Sequence, residues 1–228
     1  MEIKPIAKIY TDFDEKFGIP RQSGRAESRM GKIVFEQEYN NHDAVRGIEE
    51  FSHIWLIFGF SEAKRERDVL TVRPPRLGGN ERVGVFASRS PFRPNSLGLS
   101  CVKLEEIGKN EKDGLFLIVS GVDILCGTPI YDIKPYIPYA DSRPDAKGSF
   151  AEKNKDYLLE VEFDDELLAL IPKEKQMALI ECLKDDPRPA YHDDGRKYAM
   201  SFAGFDVSFI VEGKRLCVIG VCKRKNTQ

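Results

Sequence analysis

Three loops between Val72 and Asp141 hold the residues best suited to chemistry. VRPPRLGG at 72–79 sets Arg73 and Arg76 around a pair of prolines and ends on Gly78-Gly79. Proline fixes φ and removes a backbone donor, whereas the glycines permit left-handed or close-approach backbone. A stiff loop carrying guanidinium forks suits a phosphate, a carboxylate or another anion. A solvent-facing turn whose arginines pair with acidic neighbours is the plainer alternative. ASRSPFRPNSLGLS at 87–100 places Arg89 and Arg93 four residues apart, beside two prolines, Asn95 and Gly98. Restrictive prolines next to hydrogen-bonding side chains make more sense as a preorganised site than as mere connection. In DILCGTPIYDIKPYIPYADS at 123–142, Asp123, Asp132 and Asp141 accompany Lys134, Tyr136 and Tyr139. Asp123 stands before the Gly127-Thr128-Pro129 turn, where a carboxylate accepts from an amine or a ribose hydroxyl, or caps its own turn. A fourth segment, FGIPRQSG at 17–24, adds Arg21, Gln22 and Gly24 as a candidate closure over the same pocket.

The charge balance gives these arginines weight. The chain carries a formal net charge of −2, so nothing global draws it to nucleic acid. Arg73, Arg76, Arg89 and Arg93, gathered between positions 73 and 93, form the local basic patch that a phosphate backbone requires. Other chemistries find no support. No GxGxxG or GxxxxGK[ST] occurs, which removes a Rossmann dinucleotide site and a P-loop. His42, His53 and His192 lack metal-ligand spacing with cysteines or carboxylates, so no metal is expected. His53, beside Trp55 in an apolar run, reads as a structural histidine. Cys101 and Cys126 have no local group to activate a thiolate and read as small buried residues.

The elements that must position these loops are mainly strands. Lys4–Tyr10, Lys32–Phe35, Ile54–Phe60, Val83–Ser88, Gly98–Leu104 and Leu115–Val122 alternate or run apolar, at spacings of a small barrel or sandwich. Ile130–Ile133 resumes a strand-like alternation. His42–Phe51 holds a short helical turn with Asp43 as its N-cap. The polar stretch Arg143–Asp156 marks a boundary, dividing residues 1–145 from residues 146–228. Beyond it, a strand at Tyr157–Phe163 precedes helical spacing over Asp164–Ile171 and Lys173–Lys184, interrupted by Pro172. A hairpin of Phe205–Glu212 and Leu216–Cys222 around Gly213-Lys214 completes a small α+β unit.

With 228 residues, 41% of them hydrophobic and 32% charged, the chain has the composition of a soluble globular protein. Five cysteines without a CxxC pair fit a reducing compartment, and the N-terminus has no signal-peptide core. FSHIWLIFGF at 51–60 is too short for the roughly 20 residues of a membrane span. A cytoplasmic protein with no membrane partner is expected.

These segments, in this order, closely resemble the TrmO (TsaA, YaeB-like) family of tRNA methyltransferases. The resemblance is carried by IPRQ at 19–22, FSHIWLIF at 51–58, VRPPRLGG at 72–79, GVFASRSPFRPNSLGLS at 84–100, GTPIYDIKPYIPYADS at 127–142 and DPRPAY at 186–191, and so spans nearly the whole chain. It implies a compact TsaA-like β-barrel followed by a small α+β domain, and an enzyme dependent on S-adenosylmethionine. The implied reaction methylates N6 of threonylcarbamoyladenosine at tRNA position 37, beside the anticodon. A homodimer with the cofactor near the subunit interface is also implied. Carried onto matching positions, the cofactor site comprises Arg21, Gln22, Ser61, Arg89, Leu99 and Asp123, Ile124 and Leu125. The chain departs from the family in two places. Cys126 stands where an acidic residue is frequent, and Ser61 where histidine commonly follows the apolar run.

Methyl transfer needs the acceptor nitrogen held in line with the donated methyl, and the nitrogen must lose a proton. Asp123 is the candidate to orient the cofactor or accept that proton. Arg73, Arg76, Arg93, Lys134 and Tyr136 are expected toward RNA, with Phe92, Tyr136 or Tyr139 stacking on an extruded base. In the C-terminal unit Arg188 and Lys197 are read either as further tRNA contacts or as residues of a solvated loop preceding a strand. The competing readings are a non-catalytic tRNA-binding scaffold on the same barrel, and an S-adenosylmethionine enzyme with a different acceptor.

Overall fold

The computed structural model describes residues 2–20, 22–63, 70–74, 81–152, 156–188 and 195–224. Six strands close into an antiparallel barrel: β1 (Ala7–Tyr10), β2 (Met30–Phe35), β3 (His53–Gly59), β6 (Leu97–Asn110), β7 (Gly114–Ser120) and β8 (Thr128–Pro135). Around the barrel the order is β1-β2-β7-β6-β3-β8, and β8 returns to pair with β1. Closure leaves no open sheet edge, which suits strands that are apolar on alternate positions. Inward residues Ile9, Ile33, Ile54, Leu56, Val102, Leu117, Val119 and Ile130 fill the interior. Of the two architectures that the strand spacing allowed, the barrel is the one formed.

Strand β6 runs 14 residues, well past the segment the alternation marked. It continues by changing register against β7 between Leu104 and Glu106, a bulge that breaks the period-two pattern. Gly98 in this strand is covered by the Phe58 ring, 2.2 Å from where a Cβ would stand. The segment Val83–Ser88 is a correction. Only β5 (Val83–Gly84) is strand, pairing with β4 (Thr71–Val72) in a separate ribbon, and Val85–Ala87 turns as a 3-10 helix. Residues 42–50 form two 3-10 turns, and the cap is Asn41, not Asp43. Asn41 is extended, and its side-chain oxygen accepts from the Asp43 N–H at 3.0 Å.

Beyond the barrel, short helices α1 (Pro138–Asp141) and α2 (Ser149–Glu152) precede β9 (Glu160–Glu162). Helix α3 (Asp165–Leu168), capped by Asp164, leads to α4 (Lys173–Lys184), which packs on a sheet ordered β10-β11-β12-β9. Strands β10 (Tyr198–Phe202), β11 (Phe205–Glu212) and β12 (Arg215–Lys223) form a meander, joined between β11 and β12 through Gly213-Lys214. Strand β10 escaped the sequence reading. This unit has its own core of Leu179, Leu183, Met200, Phe202, Phe209 and Leu216, and Phe13 and Ala26 from the β1–β2 connection are part of it.

The β1–β2 connection therefore lies between the two units and is tied to both. Gly24 N–H donates to the Gly121 carbonyl at 3.0 Å, and Gly121 N–H donates to the Arg29 carbonyl at 2.9 Å. Toward α4, Ser28 donates from its N–H and its hydroxyl to the two Glu181 carboxylate oxygens, at 3.0 and 3.1 Å. Arg25 pairs with the buried Asp185.

Candidate cofactor site and RNA-facing surface

Ser100 is an inward residue of β6, and its hydroxyl is almost wholly removed from solvent. A buried hydroxyl needs an acceptor. Ser100 finds one in Asp123, donating to its Oδ1 at 2.6 Å. Asp123 itself lies in the loop between β7 and β8, two residues beyond Gly121, half-buried at the barrel mouth. Burial pushes its carboxyl above the usual carboxylate range, opposed by the Ser100 hydrogen bond, then by the Arg29 charge, its own backbone N–H and the Arg89 charge. The loop is pinned from the other side. The Ile124 carbonyl accepts from the Thr11 hydroxyl at 3.0 Å, and the Cys126 and Gly127 N–H groups donate to the Phe13 and Ile9 carbonyls, each at 2.8 Å.

Arg89 reaches across 67 positions to donate to the Gln22 side-chain carbonyl at 2.6 Å. Its loop is braced internally, because Arg93 donates to the Ser88 carbonyl at 3.0 Å and Ser96 closes a turn on the Arg93 carbonyl. Leu99 faces outward from β6, 52% exposed, opposite Ile57 of β3. Ser61 lies exposed in the turn after Phe60, whose N–H bonds the Ser96 carbonyl at the same barrel end. The structure thus brings together Gln22, Arg89 and Asp123 with Ser100, and sets Leu99 on the β3–β6 ladder and Ser61 in the turn just beyond its Gly59 end. Ile124 is a correction of degree: its side chain belongs to the barrel core, which leaves its backbone for any ligand. Arg21 and Arg76 lie outside the described residues.

The residues expected toward RNA do not form one strip. Lys134 and Tyr136 sit at the His53 end of β3, whereas Ser61 lies beyond its Gly59 end. Seven strand residues at about 3.3 Å each separate these ends by roughly 20 Å. At the His53 end Lys134 is paired with Asp132 at 2.8 Å, and Tyr136 lies 5.9 Å from the Trp55 ring and 6.3 Å from that of His53. Trp55 donates its indole N–H to Asp141 at 3.0 Å, and Tyr139 stands 88% exposed. Arg73 is exposed after β4, and Arg93 is partly used by its own loop. Arg188 is corrected outright, since it is buried and its guanidinium is spent on Asp186. Lys197 is exposed.

Two residues were missed. Ser100 had a signal, a hydroxyl at an inward position of an apolar strand. Arg29, buried in a polar-looking segment, had none. Among the described residues no three His, Cys, Asp or Glu stand together to hold a metal, and no helix is long and apolar enough to cross a membrane. The Cys101 thiol is pushed up by burial and by the Asp141 charge, the reverse of an activated nucleophile.

S-adenosylmethionine presents a carboxylate, an amino group, ribose hydroxyls and an adenine. Arg89 with Gln22 offers a guanidinium and an amide, Asp123 offers a carboxylate, and Leu99 offers open apolar surface, so the residues present fit that group. A closed barrel joined to a small helix-and-sheet unit is shared with known proteins. A crystal structure of TrmO from Pseudomonas aeruginosa matches with a TM-score of 0.78 at 32% identity, covering 98% of this chain and 97% of that one. The class is that of two-part β-barrel tRNA methyltransferases, distinct from the Rossmann type. Residues 8–142 match the tRNA-methyltransferase O N-terminal domain and residues 156–224 the TrmO C-terminal domain. The chain belongs to the tRNA-methyltransferase O family. The tRNA (adenine(37)-N6)-methyltransferase of Escherichia coli (strain K12) is 42% identical over 219 residues, which cover 92% of this chain and 93% of that protein. The mouse enzyme of the same name is 41% identical over 141 residues, 61% of this chain and 31% of its own length.

Proposed function

We propose that this chain methylates N6 of the adenine at tRNA position 37, using S-adenosylmethionine, and that the base it accepts carries the threonylcarbamoyl group. The observation that carries the reading is the Ser100–Asp123 bond at the barrel mouth, under the charge of an Arg89 already engaged with Gln22, in a chain matched along most of its length by tRNA methyltransferases. The cofactor supplies an electrophilic methyl on a sulfonium. Gln22, Arg89 and the Asp123–Leu125 backbone bind and orient it, with Ser61 and Leu99 at the rim. Asp123, its carboxyl pushed toward neutrality, is placed to accept the proton that N6 releases as it gains the methyl. Arg73 and Arg93 are assigned to RNA phosphate or the threonyl carboxylate, with Lys134 and Tyr136 on a second RNA-contacting patch.

Two further assignments rest on the same reading. The barrel, up to residue 145, holds the chemistry, and residues 146–228 form a separate unit. Two copies pair through the outward apolar face of β6, where Leu97 and Leu99 are 37% and 52% exposed. The reaction is tested by incubating the purified chain with labelled S-adenosylmethionine and position-37 threonylcarbamoylated tRNA, with tRNA lacking the modification as control. Label is expected in the modified tRNA alone. Label in neither leaves a binding protein, and equal label in both removes the threonylcarbamoyl requirement. Sedimentation of wild type and Leu99→Glu tests the pairing.

A further inference from the structure

Arg29 is among the largest fully buried side chains of the molecule, 2% exposed, and its Nε, Nη1 and Nη2 have no oxygen or nitrogen acceptor among the described residues. Its guanidinium lies over the Phe13 ring, 4.9 Å from the centroid. From α4 the Cys182 thiol faces it, pushed up to about 12 by burial, and the rise is opposed first by the Arg29 charge and then by a weak bond from the Arg29 guanidinium. On the barrel side stands Asp123, two residues from the Gly121 N–H that holds the Arg29 carbonyl. A guanidinium buried with so little hydrogen bonding is costly to keep in a protein interior. Retaining arginine here therefore points to a task other than stability.

We propose that Arg29 is a positioning residue for methyl transfer, the buried counter-charge that holds the Asp123 carboxylate at the barrel mouth and ties it to α4 of the C-terminal unit. The proposal rests on the assignment of Asp123 to the cofactor site. Three groups act on that carboxylate from three elements: Ser100 from β6, Arg29 from the β1–β2 connection and Arg89 from the loop before β6. Ser100 supplies a neutral donor, and Arg89 is exposed to water and engaged with Gln22. Arg29 is the buried cation of the three, screened least by solvent. Glu181 of α4 and Asp185 at its C-cap also influence Cys182, but they bond Ser28 and Arg25 and so fix the connection that carries Arg29. Through this connection the C-terminal unit bears on a residue of the catalytic barrel.

The test measures kcat/KM for methyl transfer to modified tRNA across pH, with the thermal midpoint, for wild type, Arg29→Met, Arg29→Lys, Asp123→Asn and the Met–Asn double variant. Arg29→Met is expected to move the acid limb of kcat/KM up by about one pH unit, the ordinary effect of removing an opposite charge, and by more than any change of midpoint accounts for. Arg29→Lys moves the limb back toward wild type, and in the Asp123→Asn background Arg29→Met displaces it no further. Arg29→Gln, which keeps donors and loses the charge, replaces the Met variant if that chain does not fold. An unmoved limb, or a loss uniform across pH that tracks a lowered midpoint, overturns the proposal while leaving the site assignment standing. Wild-type pH profile and cofactor affinity in Asp123→Asn overturn both.

Discussion

Ser100 and Asp123, 23 positions apart, share a 2.6 Å hydrogen bond that joins the inside of a barrel strand to the loop at the barrel mouth. It fixes the one half-buried carboxylate of the cofactor site by a donor that cannot itself move, because Ser100 sits between Gly98 and Val102 in the β3–β6 ladder.

Burial raises the Asp123 carboxyl, and this sets how stability responds to pH. A carboxyl raised on folding binds its proton more tightly in the native state. Its contribution is therefore full below the unfolded value of about 3.9 and is lost as pH rises through the native value. Asn keeps the acceptor for Ser100 and removes the charge. Asp123→Asn is expected to melt above wild type at pH 7, with the difference shrinking toward pH 4, while cofactor binding and methyl transfer fall. Calorimetric scans at several pH values check this. A variant that melts lower at pH 7 would show that the ionised form is worth more to folding than its burial costs.

Arg89 contributes its charge and a 2.6 Å bond to Gln22. Hydrogen bonds to charged groups contribute about 1.5–3 kcal/mol, so Arg89→Ala is expected to weaken S-adenosylmethionine binding by roughly tenfold to a hundredfold. Lysine lacks the planar fork and is expected to recover little of it. Isothermal titration of the folded variants decides, and unchanged affinity would remove Arg89 from the site.

Arg25 and Asp185 join the β1–β2 connection to the end of α4, and Asp185 is 3% exposed. Removing one partner of a buried ion pair costs about 3 kcal/mol. Arg25→Ala is expected to lower the unfolding free energy by about that amount in urea. The Arg25→Ala/Asp185→Asn pair should recover part of it, and additive losses would show that the two are not coupled.

Arg73 and Lys134 separate two kinds of basic residue. Arg73 is exposed near the arginine loops, whereas Lys134 is held by Asp132 at 2.8 Å and sits about 20 Å along β3 from the Ser61 end. Removing a cation that neutralises one phosphate reduces the slope of log affinity against log salt by about one. Arg73→Ala and Lys134→Ala are each expected to do so in tRNA binding from about 50 to 200 mM salt. A slope unchanged in either takes that residue off the RNA path.

Gly98 lies beneath the Phe58 ring, 2.2 Å from where a Cβ would stand. Gly98→Ala forces a core ring aside, which costs roughly 1–3 kcal/mol. The same substitution with Phe58→Leu is expected to be better tolerated, and denaturant midpoints of the two variants test the pairing.

Alternating strands, the arginine loops and the turn after Asp123 were legible in the residues because each rests on local chemistry. Period-two alternation marks a pleat, proline and glycine mark restricted backbone, and clustered arginines mark an anion. The long motifs also carried the family. Strand limits failed where tertiary pairing overrode local pattern: β6 runs through a bulge to Asn110, Val85–Ala87 coils instead of extending, and β10 is defined by its neighbour β11. What the three-dimensional structure alone decided is which distant residues meet. Alternation is satisfied equally by a barrel or a sandwich, and only closure of β8 onto β1 chooses between them. Arg89 meeting Gln22, Ser100 meeting Asp123, and Arg29 enclosed between Phe13 and Cys182 all depend on that closure and on α4 packing against the β1–β2 connection. Burial is a property of the whole packed chain, so an arginine in a polar run shows no trace of it in sequence.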